Sequence, residues 1–350
     1  MKRKNTIITI LLSVCILIEL SVIGALIVWK AKPPEDETTL SAALPEDSVA
    51  EEKPAQSDKT PPEEKPAVPR PAALPESSQP ETGQMDSPLP EEAPEPQPDP
   101  REQAVHRAMD GLSDALAREL SGLDGKWAVY VEDMQTGYAV RGEQGSTCDD
   151  SMVSASIIKI FVMAALYDRI NQGEFTEEAL YSDIYQMITR SDNAATNRLV
   201  TVLGGGDPQT GMDRVNEYAQ SIGCGNTSMQ RLMLDYNGKQ NYVSAVDCAV
   251  LLRMIFDRTC VSEAYSDQML SILKDQYWGD YIPKGPPEGT VIAHKGGELP
   301  GVCHGDVGIV YDKAGTYIVC IICNDPVSDG ECKAAVGEIA VLIDSYMSQR

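Results

Sequence analysis

The stretch Val307-Gly-Ile-Val-Tyr-Asp-Lys-Ala-Gly-Thr-Tyr-Ile-Val-Cys-Ile-Ile322 decides the fold. Two β-branched, apolar runs flank Asp312-Lys-Ala-Gly315, whose residues suit a tight turn, so the segment predicts an antiparallel hairpin. Working outward, Val291-Ile-Ala293 predicts a further strand just before it. After it, Cys332, Val336, Ile339, Ile343 and Tyr346 recur at helical spacing and predict a closing helix. Near the other end of the apolar-rich region, Trp127–Val131 and Tyr138–Val140 flank Gln135-Thr136-Gly137, which predicts a second hairpin. A helix over 102–122 precedes it, with Val105, Met109, Leu112, Leu116 and Leu120 on one face. Between the hairpins the pattern is helical, from Ser156 to about Gln172 and onward to Arg258, with glycine breaks at 204–206 and 223–225. Strands at both ends with helices between them predict an α/β fold of the α+β type: one antiparallel sheet flanked by helices, plus an all-helical insertion.

This region, residues 101–350, carries a net charge of −15 and 19 of the 20 aromatic residues, enough for one sizeable core. An acidic domain repels phosphate backbones, which argues against nucleic acid as a partner. His106, His294 and His304 are the only histidines, so no metal or other cofactor is expected. The domain is expected to be a monomer.

The preceding residues are of a different kind. Seventeen of the 23 prolines fall in 33–100, with 17 acidic residues, four basic ones and no aromatic. Such a chain cannot bury enough apolar surface to offset its ordering entropy. It is expected to be a disordered Pro/Glu-rich linker over 30–100, its 68 residues from 33 spanning roughly 45 Å or more. Before it, Thr6–Trp29 is an apolar run broken only by Glu19, long enough to cross a bilayer as a retained anchor. Lys2, Arg3 and Lys4 favour a cytoplasmic tail of residues 1–5, which places the folded domain outside the cell membrane on a single-pass anchor.

Three segments could carry chemistry. In Ser156-Ile-Ile-Lys159 a spacing of three places a hydroxyl and an amine on one helix face. A neutral amine there takes the hydroxyl proton and makes the oxygen a nucleophile. The spacing alone is weak, since Ser271-Ile-Leu-Lys274 has it too and reads as ordinary helix surface. Ser191-Asp192-Asn193 lies in a polar break, where it suits either a helix cap or a proton-shuttling hydroxyl beside a substrate-binding amide. His294-Lys295-Gly296-Gly297-Glu298 ends an apolar strand; it reads either as a strand leaving the sheet or as a cation beside side-chain-free backbone open to substrate.

In this order the three segments resemble the Ser-x-x-Lys, Ser-Asp-Asn and Lys-Thr-Gly motifs of class A β-lactamases and the related penicillin-binding proteins, over about residues 101–350. The resemblance implies a serine hydrolase that opens β-lactams through an acyl-Ser156 intermediate. It makes Lys159 the general base and Ser191 the proton donor to the leaving nitrogen. Asn193 would bind a substrate amide and position Lys159, and Lys295 would attract a substrate carboxylate. Gly296 and Gly297 would border the substrate, with the backbone N–H groups of Ser156 and Glu298 as the oxyanion hole. A D-Ala-D-Ala peptidase acting on peptidoglycan, or a slowly deacylating penicillin sensor, fits the same motifs.

There are departures. Gly296 stands where the family has a threonine whose hydroxyl contacts the substrate carboxylate. The stretch from Ser156 to Ser191 is shorter than usual, which should open one cleft wall. In Arg231-Leu-Met-Leu-Asp-Tyr-Asn237, Met233 occupies the position of the family's water-activating glutamate. Asp235 could substitute for it or pair with Arg231.

Of the nine cysteines, Cys15 falls in the anchor; Cys248 and Cys332 read as core residues. Cys320 and Cys323 should face opposite sides of their strand, which disfavours a zinc site built from Cys303, His304, Cys320 and Cys323. Cys303–Cys323 is the favoured disulfide candidate, and His106 is expected on a helix surface.

Overall fold

The computed structural model describes residues 99–236 and 238–350. The expected anchor, nearly all of the linker, Cys15 and Asn237 lie outside the described residues. No helix among those described is long and apolar enough to cross a membrane.

Helix α1 spans Pro100–Leu120, with Asp99 accepting from the Arg101 backbone N–H at 2.9 Å as its cap. Proline at the first helical position loses no hydrogen bond, so the helix begins slightly earlier than the apolar period indicates. Strands β1 (Lys126–Asp133) and β2 (Ala139–Gln144) form the first hairpin. The helical insertion holds α2 (Lys159–Asn171), α3 (Glu177–Thr189), α4 (Asn193–Leu203) and α5 (Pro208–Ser221). A two-residue strand β3 (Met152–Val153) pairs with β4 (Tyr242–Val243), a small second sheet not expected from the sequence. Helices α6 (Ala245–Phe256) and α7 (Glu263–Lys274) lead back to β5 (Val291–Leu299), β6 (Cys303–Asp312) and β7 (Gly315–Asn324), and α8 (Asp329–Met347) closes the chain.

The main sheet is antiparallel, in the order β2-β1-β7-β6-β5. The strands at the two ends of the domain therefore meet in the middle, where β1 pairs with β7. Alternation divides the core. Val129, Val131, Val319 and Ile321 pack under α1 and α8, while Ala128, Ile318, Cys320 and Ile322 pack under the insertion and α6. Every residue from Lys159 to Tyr167 is buried, so α2 is enclosed on all sides, as a helix apolar all round must be.

Strand β5 is three times as long as its apolar run Val291–Ala293. Gly296 and Gly297 do not end it, because continuous pairing with Asp306 and Gly305 of β6 overrides their poor strand propensity.

All eight described cysteines are free. Cys303 stands opposite Asn324, and Cys323 opposite His304. The two are one register step apart as expected, but alternation turns their side chains to opposite faces, so the favoured disulfide does not form. Cys320 and Cys323 do fall in different halves of the core. His106 stacks on Tyr138, with ring centroids 4.3 Å apart.

Candidate active site

Ser156 does not sit on the α-helix itself. It lies on a 3-10 turn, Ala155–Ile158, that runs directly into α2 at Lys159. Ala155, just before it, has a φ of 44°. Ser191 is also left-handed, with a φ of 56°. Each non-glycine residue in this region costs about 1–3 kcal/mol, which the surrounding packing must offset. Asp192 caps α4 by accepting from the Ala195 N–H, so Ser191-Asp192-Asn193 is a helix cap and also a cleft segment. The two readings of that motif are both true of it.

The Lys159 amine lies 2.7 Å from the Ser191 carbonyl oxygen, 2.8 Å from Asn193 Oδ1 and 3.1 Å from Ser191 Oγ. Lys295 Nζ approaches Ser191 Oγ from the other side at 3.1 Å and donates to the Gly296 carbonyl at 2.6 Å. Both amines are fully buried. Burial, reinforced by the Lys295 charge and opposed by Asp192, lowers Lys159 from 10.5 to about 6. Burial lowers Lys295 to about 8, with Asp306 opposing. At neutral pH Lys159 is therefore an amine and Lys295 an ammonium.

These charge states fix the hydrogen bonds. A neutral Lys159 has two N–H groups, for the Ser191 carbonyl and Asn193 Oδ1, and one lone pair left to take a proton in the cleft. Lys295 donates to the Ser191 hydroxyl oxygen. The structure thus centres on Ser191, whereas spacing alone put Ser156 at the centre. Among the described residues the Ser156 hydroxyl takes no hydrogen-bond partner, and it lines the cleft.

Gly297 holds β5 against the Ser156 turn. A Cβ there would stand 2.8 Å from the Ser154 carbonyl oxygen and 3.0 Å from the Ser156 nitrogen, so no larger residue fits without backbone movement. Gly296 and Glu298 stand two apart on the edge strand β5, so their backbone groups point the same way.

The cleft has a volume of about 440 Å³. Ser156, Ser191, Asn193, Gly296, Gly297 and Glu298 all border it. Sequence reading missed its far wall. Trp278, Asp280 and Tyr281 come from the segment after α7, and Lys333 from α8. That segment docks on the Thr189–Arg190 turn: the Tyr277 N–H donates to the Thr189 carbonyl at 3.1 Å, and the Arg190 guanidinium lies over the Tyr277 ring at 4.2 Å. Aromatic residues after a helix end were the available signal.

The loop at 231–236 is clamped to α4. Asn197 accepts from the Met233 N–H at 2.8 Å and donates to its carbonyl at 3.1 Å. Asn241 accepts from the Gln230 and Arg231 N–H groups. The Met233 side chain is buried in the core, and Asp235 is exposed and does not border the cleft. Arg231 hydrogen-bonds Gln240 and the Leu232 carbonyl.

A model described as the beta-lactamase enzyme family matches residues 111–182 and 183–347. The chain belongs to that family and is a serine hydrolase by class. Solved structures share the fold. PBP-A, as a mutant in its acyl-enzyme complex with penicillin G, is 22% identical over 68% of this chain and 96% of its own, with a TM-score of 0.60. A β-lactamase from Sphaerobacter thermophilus is 22% identical over 67% and 95%, at 0.58. The TLA-1 extended-spectrum β-lactamase is 15% identical over 69% and 99%, at 0.61. No curated protein matches the chain.

Proposed function

We propose that the protein opens β-lactams by acylation of Ser156 and releases the product slowly. The observation that carries this is the hydrogen-bonded chain Lys295–Ser191–Lys159 beside an unpartnered serine hydroxyl in a cleft. Neutral Lys159 takes the Ser156 proton, and Ser156 Oγ attacks the lactam carbonyl carbon. The backbone N–H groups of Ser156 and Glu298 receive the developing oxyanion; losing one such donor typically costs ~10²–10³ in rate. As the C–N bond breaks, Ser191 gives its proton to the nitrogen and regains one from Lys159. Lys295, as a cation, favours the negative charge passing through Ser191.

Release needs an activated water. A buried thioether at 233 cannot supply a base, and Asp235 faces solvent. This favours a second reading, a D-Ala-D-Ala peptidase or a sensor that stays acylated. Turnover of a chromogenic cephalosporin decides between them. Slow turnover that vanishes in Ser156→Ala supports the first reading. Stoichiometric adduct without turnover supports the sensor, and D-alanine release from a D-Ala-D-Ala pentapeptide supports the peptidase. No adduct at all contradicts the proposal.

The same reading places the domain outside the cell membrane, on the 6–29 anchor and the acidic, Pro-rich tether. The length and flanks of the apolar run support it. Protease shaving of intact cells should then release the domain, and protection from protease would contradict this placement.

A further inference from the structure

Three thiols, Cys303, Cys323 and Cys332, gather where β6 and β7 meet α8, and the reaction proposed above uses none of them. Alternation sorts them. Cys303 stands opposite Asn324, and its thiol hydrogen-bonds that side chain. Cys323 is turned to the other face, into the half of the core under α1 and α8, where Cys332 also lies. Its sulfur lies against Gly125, where a Cβ would stand 3.3 Å away. Cys323 and Cys332 share a side-chain hydrogen bond, the largest of the causes that raise the Cys323 thiol, ahead of burial.

A second cavity, of about 320 Å³, opens beside this pair. Cys332 borders it, and so does Trp127, the β1 residue directly opposite Cys323 in the sheet. Cross-strand partners share a face, so Cys323 sits just behind the same cavity wall. Asp124, Glu331 and Glu338 also border this cavity, so it favours a neutral visitor over an anion.

The segment between the two cysteines is tied to the active-site cleft at two points. Asn324 accepts from the Val153 N–H at 2.6 Å and donates to its carbonyl at 3.1 Å, on the strand that leads into the Ser156 turn. Asp329 accepts from the Gly301 N–H at 2.7 Å and lies 2.8 Å from His304 Nε2. The other ring nitrogen of His304 lies 3.0 Å from the Tyr281 hydroxyl, in the cleft wall. Between these ties Asp325 is left-handed, with a φ of 53°, and Val327 is exposed.

We propose that Cys323 and Cys332 form a disulfide site: a small external disulfide entering this cavity oxidises them to a bond that staples β7 to α8. The Cys332 sulfur attacks one sulfur of the oxidant and expels one small thiol. The Cys323 sulfur then attacks Cys332 in the mixed disulfide and expels the second. The protein gives up two electrons and two protons, and the oxidant takes them up as two thiols. The bond closes a short loop and so holds both ties to the cleft. The extracellular placement proposed above is the setting in which such a bond persists.

The test treats the reduced full chain with hydroxyethyl disulfide, a neutral oxidant, caps the remaining thiols with N-ethylmaleimide and digests the protein without reductant. One cross-link is expected, joining the Cys323 and Cys332 peptides. Oxidation should raise the thermal unfolding midpoint by about 5 °C, and reduction should reverse the rise. In Cys332→Ser the oxidant should leave the midpoint unchanged, whereas Cys303→Ala should respond as the parent does. A lasting mercaptoethanol adduct without a cross-link, a bridge to Cys303, or no reaction until the protein is unfolded would each overturn the site. A Cys323–Cys332 cross-link with no rise in midpoint would overturn the staple.

Discussion

The chain contains the pattern Ser-Ile-x-Lys twice, at 156–159 and at 271–274, and the two copies share spacing but nothing else. Ser271 and Lys274 are both exposed on the last turn of α7, with the Lys274 amine over the Tyr311 ring at 4.7 Å. Lys159 is enclosed, faces a second buried lysine and is lowered to about 6. The sequence motif supplies a geometry; the buried environment supplies the chemistry. What separates the two is the company each keeps: Ser191, Asn193 and Lys295 arrive from a helix cap and a strand far along the chain.

Substitutions should break this contrast in graded steps. Ser156→Ala should abolish the penicillin adduct, while Ser271→Ala leaves it intact, read by intact mass. Lys159→Met should slow acylation by ~10²–10⁴, the usual range for a positioned base, with Lys274→Met showing no effect in the same assay. Gly297→Ala forces β5 away from the Ser154–Ser156 backbone, so acylation should fall by about tenfold or more while circular dichroism shows the fold retained.

The pH profile sharpens the comparison further. Lys159 must be neutral, so acylation rises with pH through about 6. Lys295 must be cationic, so it falls above about 8. The rate should therefore describe a bell between these limbs; a rise continuing beyond pH 10 would mean that Lys159 behaves as an ordinary solvated lysine. The smallest effect concerns release. Met233→Glu should shorten the adduct lifetime several-fold, and an unchanged lifetime would mean that position 233 does not reach the acyl group.

Much of this was legible beforehand. Period-two runs at 307–322 and the helical stripes of α1 and α8 reflect one-sided burial, which residue order records directly. The three motifs were legible because their residue types are chemically demanding. Other features depend on partners distant in sequence. The pairing that carries β5 through Gly296 and Gly297, and that sets Asp306 opposite Gly296, comes from register. The left-handed Ala155 and Ser191 carry no glycine signal, since neighbouring packing holds them there. The wall built by Trp278, Tyr281 and Lys333 joins a loop to the final helix. Cys303 and Cys323 were correctly aligned, but one register step reverses the face, so nearness along the ladder did not mean contact.

The contrast between the two lysine-bearing segments is tested most directly by digesting the penicillin-treated protein and locating the added mass. The account predicts one penicilloyl group, on the peptide bearing Ser156, with the Ser271 peptide unmodified. A penicilloyl group on any other serine, or none after prolonged exposure at neutral pH, would contradict it.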